Sequence, residues 1–130
     1  MKTYTLTAPL FLAIALCTGA FCTGCSFHAR DAADYQKVTR ELVESKGADI
    51  KSCYDSALKL DPKVAGTVVV KFTVQHETGK IANAKVDETA SSAPANLGQC
   101  IVNALEGLAL EPPDARDGDA TFQWEFQVKT

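Results

Sequence analysis

Histidine is scarce in this chain of 130 residues: there are two, His28 and His76. They do not stand at metal-ligand spacing, and neither apolar stripe described below carries one, which argues against a zinc site. Clustered basic charge is lacking as well. Setting aside the first 24 residues removes only Lys2, so 12 basic side chains face 16 acidic ones, a net charge of −4. A nucleic-acid binder would instead show a basic face. A glycine-rich phosphate loop, a Ser-His-Asp set and paired catalytic carboxylates are all missing, so no cofactor is implied and an enzyme is not expected. Asp114, Asp117 and Asp119 lack the regular ligand spacing of a calcium loop and read as a solvated turn. No internal repeat and no low-complexity linker breaks the chain, which fits a single small domain.

A membrane-spanning run is also missing. The longest apolar stretch, residues 8–21 (APLFLAIALCTGAF), falls short of the ~18–20 residues a bilayer requires but has the length of a signal-peptide core. Lys2 precedes it, and the small residues Thr23 and Gly24 lead into Cys25. This resembles the bacterial lipoprotein signal, which implies cleavage just before Cys25 and a lipid anchor on that cysteine. Cys17 follows Leu16 and Cys22 follows Phe21, so neither has the small preceding residue such processing needs. Cys22 departs from the aliphatic residue usual at its position. An ordinary secretory signal or an uncleaved anchor is the alternative, and each of these readings puts the domain outside the cytoplasm. The expected organisation is a lipoprotein signal over residues 1–24, a lipidated Cys25 with a short tether to residue 33, and a domain over residues 34–130.

Of the five cysteines, Cys17 and Cys22 go with the signal and Cys25 with the lipid. Cys53 and Cys100 remain, an even pair in an oxidising compartment, where a disulfide is the default. Both lie on core-facing stripes and His76 lies in a turn, so a structural cystine is favoured over a thiol nucleophile.

Residues 66–87 form the organising stretch. Val68, Val70, Phe72 and Val74 alternate with Thr67, Lys71, Thr73 and Gln75, the period of a strand. A polar turn through Gly79 leads to a second, weaker strand from Lys80. The last strand alternates Ala120, Phe122, Trp124, Phe126 and Val128, expected inward, with Thr121, Gln123, Glu125 and Gln127 outward, bringing most of the aromatic mass to the core. Helical spacing marks residues 34–46, then Ile50, Cys53, Tyr54, Ala57 and Leu58, with Asp49 as the expected N-cap. Whether these two pieces make one bent helix is open. Leu97, Cys100, Ile101, Leu105 and Leu108 stripe a further helix, with Ser91 or Ser92 as its cap. The chain is therefore expected to be α+β, an αββαβ domain. Its three-stranded antiparallel sheet has the order two–one–three, with the helices on one face and a Cys53–Cys100 bridge between them; a right-handed parallel crossover from the second strand to the third is the alternative.

Ile50-Lys51-Ser52-Cys53-Tyr54, then Leu58, Pro62, Gly66 and the VVVKFTV strand resemble the C-terminal domain of TonB-like proteins. The likeness is to the variant found in AgmX/PglI gliding-motility proteins. It continues through Gly79-Lys80-Ile81, Ala84, Val86 and Cys100-Ile101-Val102 to Trp124-Glu125-Phe126. The aromatic-proline and diglycine loop of that family is replaced here by residues 108–113 and a single Gly118. A proline-rich linker and the inner-membrane helix of energy transducers are absent. The resemblance implies a periplasmic domain that binds protein and has no catalytic role. The expected partner is an envelope protein or peptide pairing with an exposed edge strand, at Thr121, Gln123, Glu125 and Gln127. Such a protein would serve a motility- or transport-related assembly from the outer membrane, facing the periplasm. The alternative is a structural lipoprotein contributing to envelope or cell-wall organisation. On the sequence alone, Phe122→Pro is the change expected to block edge pairing.

Overall fold

The computed structural model describes residues 28–129; the signal segment and Cys25 lie outside them. In chain order the elements are α1 (Ala32–Glu44), α2 (Gly47–Leu60), β1 (Gly66–Val74), β2 (Ile81–Val86), α3 (Ala95–Leu105) and β3 (Gly118–Phe126). The sheet is three-stranded with the order β2-β1-β3, and both pairings are antiparallel. The fold is α+β, as the alternating patterns imply.

The first helical region is two helices, not one. The break falls at Ser45 and Lys46, where the Lys46 N–H turns back to the carbonyl of Val43 at 3.0 Å. That tighter bond closes α1, and α2 opens on Gly47. Asp49 does not cap α2. Lys46 holds the cap position without a side-chain bond, and Asp49 sits in the first turn, paired to Lys46 at 3.1 Å. A carboxylate there still opposes the positive end of the helix dipole.

One side of the sheet carries the core. Val68, Val70, Phe72 and Val74 of β1 are buried together with Ile50, Cys53 and Ala57 of α2 and Leu97, Ile101 and Leu105 of α3. Each such aliphatic side chain removed from water contributes roughly 1.5–3 kcal/mol. α3 packs on β1, on β2 and against α2. The aromatic residues of β3 contribute less than their mass implies. Phe122, Trp124 and Phe126 are half-buried and lie around the core cluster, not in it. Val128 lies past the strand end and is exposed. The reason is position: β3 is an edge strand, and α3 lies over the other two strands, β1 and β2.

β1 is longer than its hairpin partner, which pairs only with Val70–Val74. The loop after β2 completes the first half. Ser91 Oγ accepts from the Val69 N–H and Ser92 Oγ from the Thr67 N–H, each at 2.9 Å. The N–H groups of Asp87 and Ser92 donate to the carbonyls of Val69 and Thr67. Ser91 and Ser92 are therefore strand partners and do not cap α3, whose cap is Pro94, without a side-chain bond. An Asx turn aims them: the Asp87 carboxylate accepts from the Thr89 hydroxyl and from the N–H groups of Thr89 and Ala90. Lys71 pairs with Asp87 at 2.5 Å. The Lys71 ammonium first, and the Thr89 hydroxyl after it, hold the Asp87 carboxyl well below the usual range.

The hairpin turn is fixed by close approach. Gly79 has φ +66°, and a Cβ there would lie 2.0 Å from the Leu110 carbonyl oxygen. The Gly79 carbonyl accepts from the Leu110 N–H at 2.8 Å, and Ile81 donates to the Leu108 carbonyl at 3.0 Å. The segment after α3 thus lies along the start of β2.

The expected tether is part of the fold from His28 onward. The His28 carbonyl accepts from the Ala115 N–H at 2.9 Å. The Asp114 carboxylate accepts from the N–H of Arg30 at 2.9 Å and from that of Arg116 at 3.2 Å. The Arg30 guanidinium donates to the Pro112 carbonyl at 3.0 Å and lies 3.6 Å from Asp114. The side chain of Asp114 is fully buried, so the acidic loop is not a solvated turn at its first carboxylate. Burial opposes ionisation of Asp114, but the two backbone donors and the two guanidiniums outweigh it and leave its pKa below the ordinary value.

Cys53 of α2 and Cys100 of α3 are joined by a disulfide, with Cα atoms 5.8 Å apart and a sequence separation of 47. On the chain-entropy account, a loop of that length stabilises by about 4 kcal/mol. A variant with both cysteines changed to alanine should lose about that much in urea unfolding. Thiol titration of the denatured, unreduced protein should find neither Cys53 nor Cys100 free.

Candidate functional site

The backbone register decides which groups the sheet leaves open. In an antiparallel strand, successive residues direct N–H and C=O to alternate sides. Thr67 and Val69 direct theirs to the Ser91–Ser92 side. Gly66, Val68, Val70, Phe72 and Val74 must therefore serve β3, where their partners are Phe126, Trp124, Phe122, Ala120 and Gly118. The residues between, Asp119, Thr121, Gln123 and Glu125, direct N–H and C=O away from β1, to the open edge. Their side chains are exposed.

The structure thus brings Thr121, Gln123 and Glu125 to one edge, but it is their backbone groups, and not the polar side chains, that the sheet leaves without a strand partner. Gln127 does not belong with them. It lies beyond the strand, and its carbonyl accepts from the Tyr54 hydroxyl at 3.1 Å, which is also 3.1 Å from the Val64 carbonyl. The Tyr54 ring stacks on Phe126 at 4.8 Å, so the far end of β3 is pinned to α2. The Phe122 N–H faces β1, so proline there would break the sheet itself. Gln123, near the middle of β3, is one of the positions at which proline removes only an open donor.

The two edges of the sheet differ. β2 is short, has an irregular register opposite Phe72 and carries Asn83 at φ +55°. Its start is lined by residues 108–110. Bulges and covering segments are the usual protection of an edge against pairing. β3 pairs with β1 in unbroken register over nine residues.

A cleft of about 340 Å³ runs along this edge, between β3 residues 119–123 and Tyr35, Gln36, Thr39 and Arg40 of α1. α1 is placed by the Arg30–Asp114 clasp before it and by Asp31, whose carboxylate caps it by accepting from the Asp34 N–H at 2.8 Å. The Tyr35 ring lies over Gly118, where a Cβ would come within 2.4 Å of it. Burial first, and the Asp114 carboxylate after it, push the Tyr35 phenol pKa up. Neither clasp nor cleft was legible from spacing, because both are made by residues far apart in the chain.

His76 closes the turn end of the sheet. Its N–H donates to Asp117 Oδ1 at 2.7 Å, and its Nδ1 lies 2.7 Å from the same oxygen. That hydrogen bond raises the His76 pKa above its ordinary value and lowers that of Asp117. The raised histidine contributes stability that is complete below about pH 6.5 and is lost as pH rises through the folded pKa. The lowered carboxyl contributes stability present above about pH 4 and lost as pH falls through its folded value. The pair therefore holds best between these limits. Asp117→Asn should return the His76 midpoint toward about 6.5 in an NMR titration of the imidazole; an unmoved midpoint would count against the hydrogen bond as its cause. Among the described residues, no group of three or more His, Cys, Asp or Glu side chains could hold a metal ion. No helix there is long and apolar enough to cross a membrane.

No family model matches the chain, and no curated protein matches it. Among solved structures, the NMR structure of the Helicobacter pylori TonB C-terminal domain is similar to it. The two are 16% identical with a TM-score of 0.46, over 79% of this chain and 99% of that one.

Proposed function

We propose that this chain is a non-enzymatic binding module, in which an extended segment of another envelope protein adds as a fourth strand along β3. One observation carries the reading: the regular nine-residue edge whose Asp119, Thr121, Gln123 and Glu125 present unpaired backbone groups beside a cleft. Main-chain hydrogen bonds supply affinity in such pairing, and pockets for alternate side chains supply selectivity. The likeness of Cys53-Tyr54, the valine strand and the aromatic last strand to TonB-like domains of the AgmX/PglI type supports the same mode. It also favours a motility- or transport-related assembly.

The lipoprotein-like signal supports a periplasm-facing location at the outer membrane, with Cys25 carrying the lipid. Cys25→Ser should abolish incorporation of labelled palmitate in growing cells and leave the precursor at its full mass. A labelled, processed variant would refute this anchoring.

For the edge, Gln123→Pro should reduce capture of the envelope partner by roughly tenfold, about 1.4 kcal/mol. Proline is tolerated where the lost N–H faces outward from an edge strand, so the thermal midpoint should stay within a few degrees of wild type. Capture undiminished in a folded Gln123→Pro variant would rule out edge pairing.

A further inference from the structure

The edge is not chemically neutral, and the two faces of an added strand would meet opposite charges. On the helix side of the cleft stand Gln36 and Arg40, one turn apart on α1. Arg40 is exposed and makes no ion pair among the described residues. On the outer face, β3 presents the carboxylates of Asp119 and Glu125. Asp119 accepts from the Thr73 hydroxyl at 2.8 Å and Glu125 from the Gln127 side-chain amide at 2.7 Å, which orients both on that face.

We propose that the site selects its partner by charge: a segment with acidic side chains on the face toward α1 and basic ones on the outer face, alternating residue by residue. This rests on edge pairing as the binding mode. Alternation follows from strand geometry, since successive side chains of an added strand point to opposite faces. A glutamate on the inner face reaches the Arg40 guanidinium, and a lysine on the outer face lies beside Asp119 or Glu125. Opposite charges across neighbouring strands are favourable, and like charges are not. The same rule disfavours one self-pairing of this chain: antiparallel pairing of two β3 strands centred on Phe122 would set Asp119 directly opposite Glu125, carboxylate against carboxylate.

The test uses the full chain and three extended peptides: alternating Glu/Thr, alternating Lys/Thr and a neutral Val/Thr control. Both charged peptides should bind more tightly than the control while protecting the Thr121 and Gln123 amides from exchange. Arg40→Glu should weaken the Glu/Thr peptide by roughly tenfold and leave the Lys/Thr peptide within about twofold, and Glu125→Lys should do the reverse. Amide protection with affinities indifferent to these reversals would overturn charge selection and leave edge pairing standing. If no peptide protects those amides, edge pairing fails and the charge proposal fails with it. A β3-paired dimer of the protein alone would likewise overturn it.

Discussion

A central strand must have partners for its backbone on both sides, and satisfying β1 determines most of this structure. On one side β3 matches it residue for residue from Gly66 to Val74. On the other, β2 reaches only Val70, and two hydroxyls with the peptide N–H groups of Asp87, Ser92 and Ala93 supply what is missing. The Asp87 turn that delivers Ser91 and Ser92 therefore takes the place of strand partners along this half of β1, at the part-buried Val69 N–H and the exposed Thr67 N–H. The hydroxyls also bring the chain to Pro94 in position to lay α3 across the valine face. What β1 does not require, the outward side of β3, stays open.

Two linkages then hold the layers over so small a sheet. The disulfide joins α2 to α3, the helix that packs on β1 and β2. The Arg30–Asp114 clasp does a different task, since α1 lacks any such bond to the other helices. A buried carboxylate is tolerable only when its lone pairs are filled, and Asp114 has two backbone donors and a guanidinium. Arg116 closes the ring by donating to the Arg30 carbonyl at 2.7 Å. Replacing such a pair with apolar groups need not destabilise, but removing one partner leaves an uncompensated charge. The clasp therefore fixes where α1 starts, and through α1 it sets the width of the cleft.

The parts of this design legible in the sequence are those with a local period. Valine alternation gave β1, aromatic alternation gave β3, and the helical stripes placed Cys53 and Cys100 within bonding reach. The shared inward face of the two alternations fits the antiparallel pairing of β1 with β3. What could not be read depends on partners distant in sequence. Ser91 and Ser92 look like caps, since serine before proline is a common helix start, and only the shortness of β2 recruits them to β1. Asp114 looks like one more carboxylate in a solvated loop until Arg30 is brought onto it. The alternation of β3 shows where its polar side chains point, whereas it is the register with β1 that turns the backbone of Thr121, Gln123 and Glu125 to the open edge and that of Phe122 to β1.

The clasp also ties the two ends of the proposed function together. The described fold begins at His28, bonded to Ala115, and β3 starts three residues later at Gly118. The chain therefore enters the fold at the end of the sheet where β3 begins and where Tyr35 closes over Gly118. If Cys25 bears the lipid, Ser26 and Phe27 are all that separate it from that point, a reach of roughly 10 Å at full extension. A lipid there would tether the domain by the end of the sheet at which β3 begins, the end where the cleft between α1 and β3 lies.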